Sequence, residues 1–252
     1  MENKLQIFAA CPPEYARSAA SKGLKIVHMC YRIGRDGRLY IAENAAPTGG
    51  IMAAEFRDPC PKNSMSALCD SLIRECSRRS FSGIYLDIPA EQTGFITEEA
   101  AFIAARISKA NLRIYIPHHL PIKNAGVKAV IGTAVSGGTY EGYLSSAIKR
   151  YGAENLALEA DLIMSDFTLP DRSGRGKTLT KDEFRKLYSI WGKNSFFSKE
   201  LKAYYFNYVS NEKTHFVLYE TSQSIKAKLS AANKMGINTA FLYYPDFVGT
   251  IF

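Results

Sequence analysis

No apolar run in the sequence reaches the ~18 residues of a membrane-spanning helix, which excludes a fold built on such helices. The first apolar stretch, Leu5–Cys11, is short and broken by Gln6. It lacks the form of an export signal, so a cytoplasmic protein is expected. Histidine is scarce, with four in 252 residues, and no Cys/His spacing matches a zinc site; no metal and no cofactor is expected. The Gly-x-Ser-x-Gly, Walker and Gly-x-Gly-x-x-Gly patterns are absent, and with them the sequence signals for a nucleophile elbow, a P-loop and a dinucleotide fingerprint. The five cysteines (Cys11, Cys30, Cys60, Cys69 and Cys76) are odd in number and confined to the first third, which argues against a disulfide framework and for small buried side chains. There is no internal repeat and no low-complexity segment.

What remains is an ordinary globular composition, 46% hydrophobic and 22% charged, in a chain long enough to bury a full core. Residues 1–252 are expected to form a single domain, the usual size of a (β/α)8 barrel. The net charge of +8 is uneven: residues 171–235 carry 13 Lys and Arg against 6 Asp and Glu. Such a segment attracts nucleic acid, an anionic glycan or a membrane surface, or is a solvated face. The last is the expectation, with neither nucleic acid nor membrane as a partner.

Strand-like and helix-like runs alternate through the chain. Strands are expected at Leu5–Ala10, Leu24–Tyr31, Gly50–Phe56, Gly83–Ile88, Leu112–Pro117, Val127–Val135, Leu156–Phe167 and Thr239–Tyr244. The clearest helix is Ser64–Ser77, where Met65, Leu68, Cys69, Leu72, Ile73 and Cys76 repeat on one face behind a Ser64 N-cap. Further helices are expected at Thr97–Ala110, Gly138–Tyr151 and Ser224–Met235. Alternating β and α elements imply a parallel sheet with right-handed crossovers, and eight strands at this length imply an α/β fold closed into a (β/α)8 TIM barrel. Residues 170–219 interrupt the rhythm as a small α+β insertion between strands 7 and 8. It begins with a turn-rich loop at 171–176. A helix follows behind the capping box Thr180–Glu183, and then a β-hairpin formed by Ala203–Val209 and His215–Tyr219.

Chemistry concentrates at Phe81-Ser82-Gly83-Ile84-Tyr85-Leu86-Asp87-Ile88-Pro89-Ala90-Glu91. This reads as a buried strand ending in an acid, where such barrels carry their active sites. Residues 87, 89 and 91 share a strand parity, so Asp87 and Glu91 form a candidate catalytic carboxylate pair if the extended backbone continues past Pro89. If Pro89 ends the strand, Glu91 starts a solvated loop. Other strand-end residues are candidates for binding a substrate: Glu55, His118 and Asp166 with polar groups, and Tyr31, Tyr85, Tyr219, Tyr243 and Tyr244 with aromatic faces.

Residues 82–89 resemble the catalytic strand of family 18 glycoside hydrolases, chitinase-like enzymes that include spore peptidoglycan glycosidase-like relatives. That strand typically ends in Asp-Gly-Ile-Asp-Leu-Asp-Trp-Glu; here Asp87 keeps the last aspartate, Ser82 and Tyr85 replace the others, and Pro89 occupies the proton-donor position. Residues 180–246 resemble the family's C-terminal part, through Lys202–Tyr208, Phe216–Tyr219, Ser222–Leu229 and Asn233–Tyr244, with Tyr243 where a tryptophan usually floors the sugar site. The resemblance implies a barrel whose mouth binds N-acetylated glycans of the chitin or peptidoglycan type. It implies hydrolysis assisted by the substrate's acetamido group, for which an acid must protonate the leaving oxygen. Three readings follow: a glycan-binding relative with hydrolysis lost or much reduced, an active glycosidase using Asp87 and Glu91, or an unrelated barrel enzyme handling an anionic small molecule through the basic segment.

Overall fold

The computed structural model of the chain describes residues 4–43, 45–122, 126–170 and 176–252. Of the loop expected at 171–176, residues 171–175 lie outside the described residues. The first half of the chain alternates β1 (Gln6–Cys11), α1 (Pro13–Ser21), β2 (Lys25–Ile33), a short β3 (Leu39–Ile41), β4 (Ile51–Phe56), α2 (Met65–Arg79) and β5 (Gly83–Asp87). There follow α3 (Thr93–Lys109), β6 (Arg113–Pro117), β7 (Val127–Gly132), α4 (Tyr140–Tyr151) and β8 (Leu156–Ala160). After an insertion, α6 (Ser222–Lys234), β14 (Thr239–Tyr243) and α7 (Tyr244–Phe247) complete the chain. Strands β1, β2, β4, β5, β6, β7, β8 and β14 pair in parallel, and β1 bonds both β2 and β14, which closes an eight-stranded (β/α)8 barrel. Among the described residues, no helix is long and apolar enough to cross a membrane.

Strand alternation sorts side chains between two cores. Phe8, Val27, Ile51, Ala53, Tyr85, Tyr115, Val130, Ala157 and Phe241 fill the barrel interior. Phe241 plugs its centre, 5.0 Å from the Tyr115 ring, 5.4 Å from Tyr85 and 5.8 Å from Phe8. Each buried aromatic of this kind contributes about 1.5–3 kcal/mol from apolar burial. Residues of opposite parity, such as Met52, Ile84 and Ile114, meet Leu68, Leu72 and Ile103 of the helical layer. Gly50 enters β4 with φ of +73°, and a Cβ there would stand 2.1 Å from the Ile26 carbonyl oxygen, so only glycine fits.

The expected seventh strand, Leu156–Phe167, is two strands. β8 belongs to the barrel, whereas β9 (Met164–Leu169) joins an antiparallel sheet with β10 (Lys177–Thr178), β11 (Phe196–Ser198), β12 (Ala203–Ser210) and β13 (Lys213–Tyr219). The chain therefore leaves the barrel before Met164. Helix α5 (Lys181–Trp191) lays Phe184 and Leu187 on that sheet against Phe206 and Tyr219. Its capping box is formed: the Thr180 hydroxyl accepts from the Glu183 amide at 3.2 Å, and Glu183 accepts from the Thr180 amide at 2.8 Å. Thr180→Ala is expected to lower stability in urea unfolding by about 1 kcal/mol, with Thr180→Ser close to the parent.

The insertion returns to the barrel through a buried ion pair. The Lys228 ammonium donates to Glu220 and, at 2.8 Å, to the Thr133 carbonyl, and lies 5.3 Å from the Tyr140 ring centre. Ser224 donates to the second Glu220 oxygen. Burial raises the carboxyl pKa and lowers that of the ammonium, while contact between the two opposes both shifts.

Candidate functional site

At the C-terminal end of the barrel a cavity of about 220 Å³ opens above the Phe241 plug. Parity brings its walls together. β5 sends in Tyr85 and Asp87, β8 sends in Glu159, Asp161 follows β8, β14 supplies Phe241 and Tyr243, and β2 supplies Val27 and Met29. Tyr85 stacks on Phe241 with ring planes 22° apart and donates its hydroxyl across the barrel to Glu159, 3.2 Å and 3.3 Å from the two carboxylate oxygens. Three carboxyls thus share one small cavity, and among the described residues none of its lining side chains is cationic.

Their electrostatics follow from that crowding. Burial pushes the Glu159 pKa up to about 7, reinforced by the charges of Asp161 and Asp87 and opposed by the Tyr85 hydrogen bond. Asp87 is raised by burial and by Glu55, its register partner on β4, and lowered by Arg57. Asp161, an exposed residue at the mouth, is raised by partial desolvation where it faces the cavity and by Asp246. A carboxyl that keeps its proton near neutrality donates a hydrogen bond to a ligand oxygen, whereas an ionised one accepts from hydroxyl, amide or ammonium groups. Among the described residues, no group of three His, Cys, Asp or Glu side chains is placed to hold a metal ion.

Of the residues singled out in the sequence, Tyr85, Asp87 and Tyr243 line this cavity. Glu55 stands beside it at the rim, with its carboxylate bound by Arg57 at 2.5 Å. The others lie elsewhere. β5 ends at Asp87 and the chain turns through a 3-10 segment at Ala90–Gln92, so strand parity does not extend to Glu91, which is exposed. A register shift between Met29 and Tyr31 turns Tyr31 outward, where its hydroxyl donates to Glu75 of α2 at 2.8 Å. Tyr244 points away from Tyr243, into α1, with its hydroxyl 3.1 Å from that of Ser18. His118 is exposed, with Nδ1 3.2 Å from the Val130 carbonyl oxygen. Asp166 and Tyr219 belong to the insertion sheet. Asp166 accepts from Tyr208 at 2.7 Å and lies 3.0 Å from His215 Nδ1, and Tyr219 packs against Phe184.

Glu159 and Asp161 were not singled out in the sequence. The signal for them is two acids at i and i+2 in Leu156-Ala157-Leu158-Glu159-Ala160-Asp161, alternating with apolar residues at the end of a barrel strand. Placing the end of that strand at Phe167 hid the signal and advanced Asp166 instead.

A second cavity, of about 380 Å³, opens outside the barrel between α1 and the segment 45–48. Cys11, Cys30 and His28 line it, but burial holds the two thiols protonated, with pKa values near 12 and 11. Among its described lining residues there is no carboxyl and no Phe, Tyr or Trp ring, so it lacks the carboxyl cluster of the mouth, and burial lowers the pKa of its one imidazole, His28.

No protein-family model matches the sequence, and no curated protein matches it by sequence. Solved structures do match the fold. The Bacillus megaterium spore cortex-lytic enzyme SleL has a TM-score of 0.62 at 14% identity, with 96% of this chain and 71% of that one covered. A chitinase from Chromobacterium violaceum gives 0.61 at 15% identity, with 95% and 93% covered. The C-terminal domain of a putative chitinase from Desulfitobacterium hafniense gives 0.65 at 10% identity, with 98% and 96% covered. The chain has the barrel fold of these proteins; identities this low carry the fold alone.

Proposed function

We propose that the barrel mouth binds a sugar ring of a chitin- or peptidoglycan-like glycan, and that hydrolysis by the chitinase-like route is lost or much reduced. The cavity carries this reading: the exposed Tyr243 ring, over an apolar floor of the stacked Tyr85 and Phe241 rings, meets three carboxyls at the end of the barrel where ligands bind. Aromatic faces take the apolar side of a pyranose, and carboxyls take its hydroxyl and amide groups. The fold shared with chitinases and a cortex-lytic enzyme supports this ligand class.

The reduced hydrolysis rests on position. Pro89 has no proton to give, and Glu91 faces solvent from a turn. The carboxyl of the mouth that holds its proton, Glu159, stands across the barrel on β8 and is engaged by the Tyr85 hydroxyl rather than placed at the end of β5. Without an acid at the leaving oxygen the reaction forfeits roughly 10²–10⁴ in rate. An anionic small molecule fits the mouth poorly, because three carboxyls face it with no cation among the described lining residues.

Calorimetric titration with a tetramer of N-acetylglucosamine tests both halves. Saturable binding without detectable release of reducing ends is expected, and Tyr243→Ala should weaken it about tenfold, the worth of one aromatic face. Absence of binding would remove the proposal. Turnover that Glu91→Gln abolishes would restore an active glycosidase.

A further inference from the structure

We infer that the mouth prefers an amino-sugar unit whose nitrogen is unsubstituted, held as an ammonium among Asp87, Glu159 and Asp161. This rests on the glycan reading above and narrows it to one substituent. The three carboxyls surround a cavity of about 220 Å³ whose described lining side chains include no cation. The nearby cations are engaged at the rim: Arg57 with Glu55, and Lys181 with Asp246 at 3.0 Å. Among the described residues, Tyr85 donates a hydrogen bond to Glu159, and no other donor to the trio is seen.

A neutral acetamido group supplies one N–H and no charge to such a site. An ammonium supplies three donors and the missing positive charge. The exposed Tyr243 ring lines the same cavity and adds attraction for a cation. The carboxylates of peptidoglycan side chains would meet the same negative field and be disfavoured. The preference must arise locally, because the whole chain carries a net charge of +8 and repels cations at long range. Protons balance simply. An ammonium ligand approaching a protonated Glu159 leaves an ammonium–carboxylate pair in the cavity and one proton in solvent, with no covalent bond made or broken.

The test compares the glucosamine tetramer with the N-acetylglucosamine tetramer by calorimetry at pH 6, in two buffers of different ionisation enthalpy. The expected result is binding of the free-amine tetramer at least tenfold tighter, with proton release on binding. Glu159→Gln should abolish the proton release and reduce the preference, Asp161→Asn should reduce it independently, and Asp182→Asn, an exposed carboxylate of the insertion, should leave it intact. Equal or tighter binding of the acetylated tetramer would overturn the inference while leaving the glycan reading in place, as would a preference that survives both mouth substitutions. If neither tetramer binds, the glycan reading falls and the inference falls with it.

Discussion

Glu159→Gln raises the stability of the chain at pH 7.5 and leaves it nearly unchanged at pH 4. The Glu159 carboxyl has its pKa raised from 4.5 to about 7 in the fold. A raised carboxyl pKa means that the folded state holds its proton after the unfolded chain has lost it. Folding therefore weakens as pH climbs from about 4.5, and the loss is complete above about 7. At about 1.4 kcal/mol per pKa unit, the full cost is on the order of 3 kcal/mol. Glutamine keeps an acceptor for the Tyr85 hydroxyl and removes the titration. In a chain of this size the gain corresponds to a rise in Tm of roughly 6–10 °C at pH 7.5, shrinking to nothing near pH 4. A variant that melts no higher than the parent at pH 7.5 would show that Glu159 is not held against its charge. A buried acid with no cationic partner among the described lining residues is what the proposed ligand site calls for and what the fold does not need.

Lys228→Met has the opposite sign and a similar or larger size. The Lys228 side chain is fully buried and that of Glu220 is 4% exposed, so removing the ammonium strands a carboxylate that, among the described residues, keeps the Ser224 hydroxyl as its hydrogen-bond donor. Breaking one side of a buried pair costs about 3–5 kcal/mol, whereas replacing both sides restores most of that. Urea unfolding should therefore show Lys228→Met strongly destabilised, and the double variant Glu220→Gln/Lys228→Met close to the parent. The Thr133 carbonyl also loses its donor, which loosens the segment after β7. If the double variant is as unstable as the single one, the pair acts through the Thr133 and Tyr140 contacts and not through mutual compensation of charge.

Much of the architecture was legible because its signals are local and periodic. The Met65–Cys76 stripe, the Thr180–Glu183 capping box and the continuous apolar run before Asp87 each specify an element without tertiary information. The failures are tertiary. A single register shift after Met29 reverses the facing of Tyr31, and sequence parity cannot register an irregularity set by pairing with β4. The turn at Ala90–Gln92 decides where Glu91 points, and Pro89 permits either continuation or termination. The apolar content of residues 156–167 gives no sign that the chain changes sheets between Ala160 and Met164. That change moves the mouth from Asp166 to Glu159 and Asp161. Asp87 and Tyr85 lie at the mouth because β5 ends within one residue of the expected strand Gly83–Ile88.

Met29 lines the cavity and is 37% exposed, so its methyl group reports whether the mouth holds a sugar. With methyl-labelled methionine, titration of the N-acetylglucosamine tetramer followed by NMR should move the Met29 signal saturably. Met52 and Met65, buried in the outer core, and Met164 of the insertion sheet should stay in place. A Met29 signal unmoved at saturating glycan, or a shift confined to Met164, would contradict a sugar site in the barrel mouth.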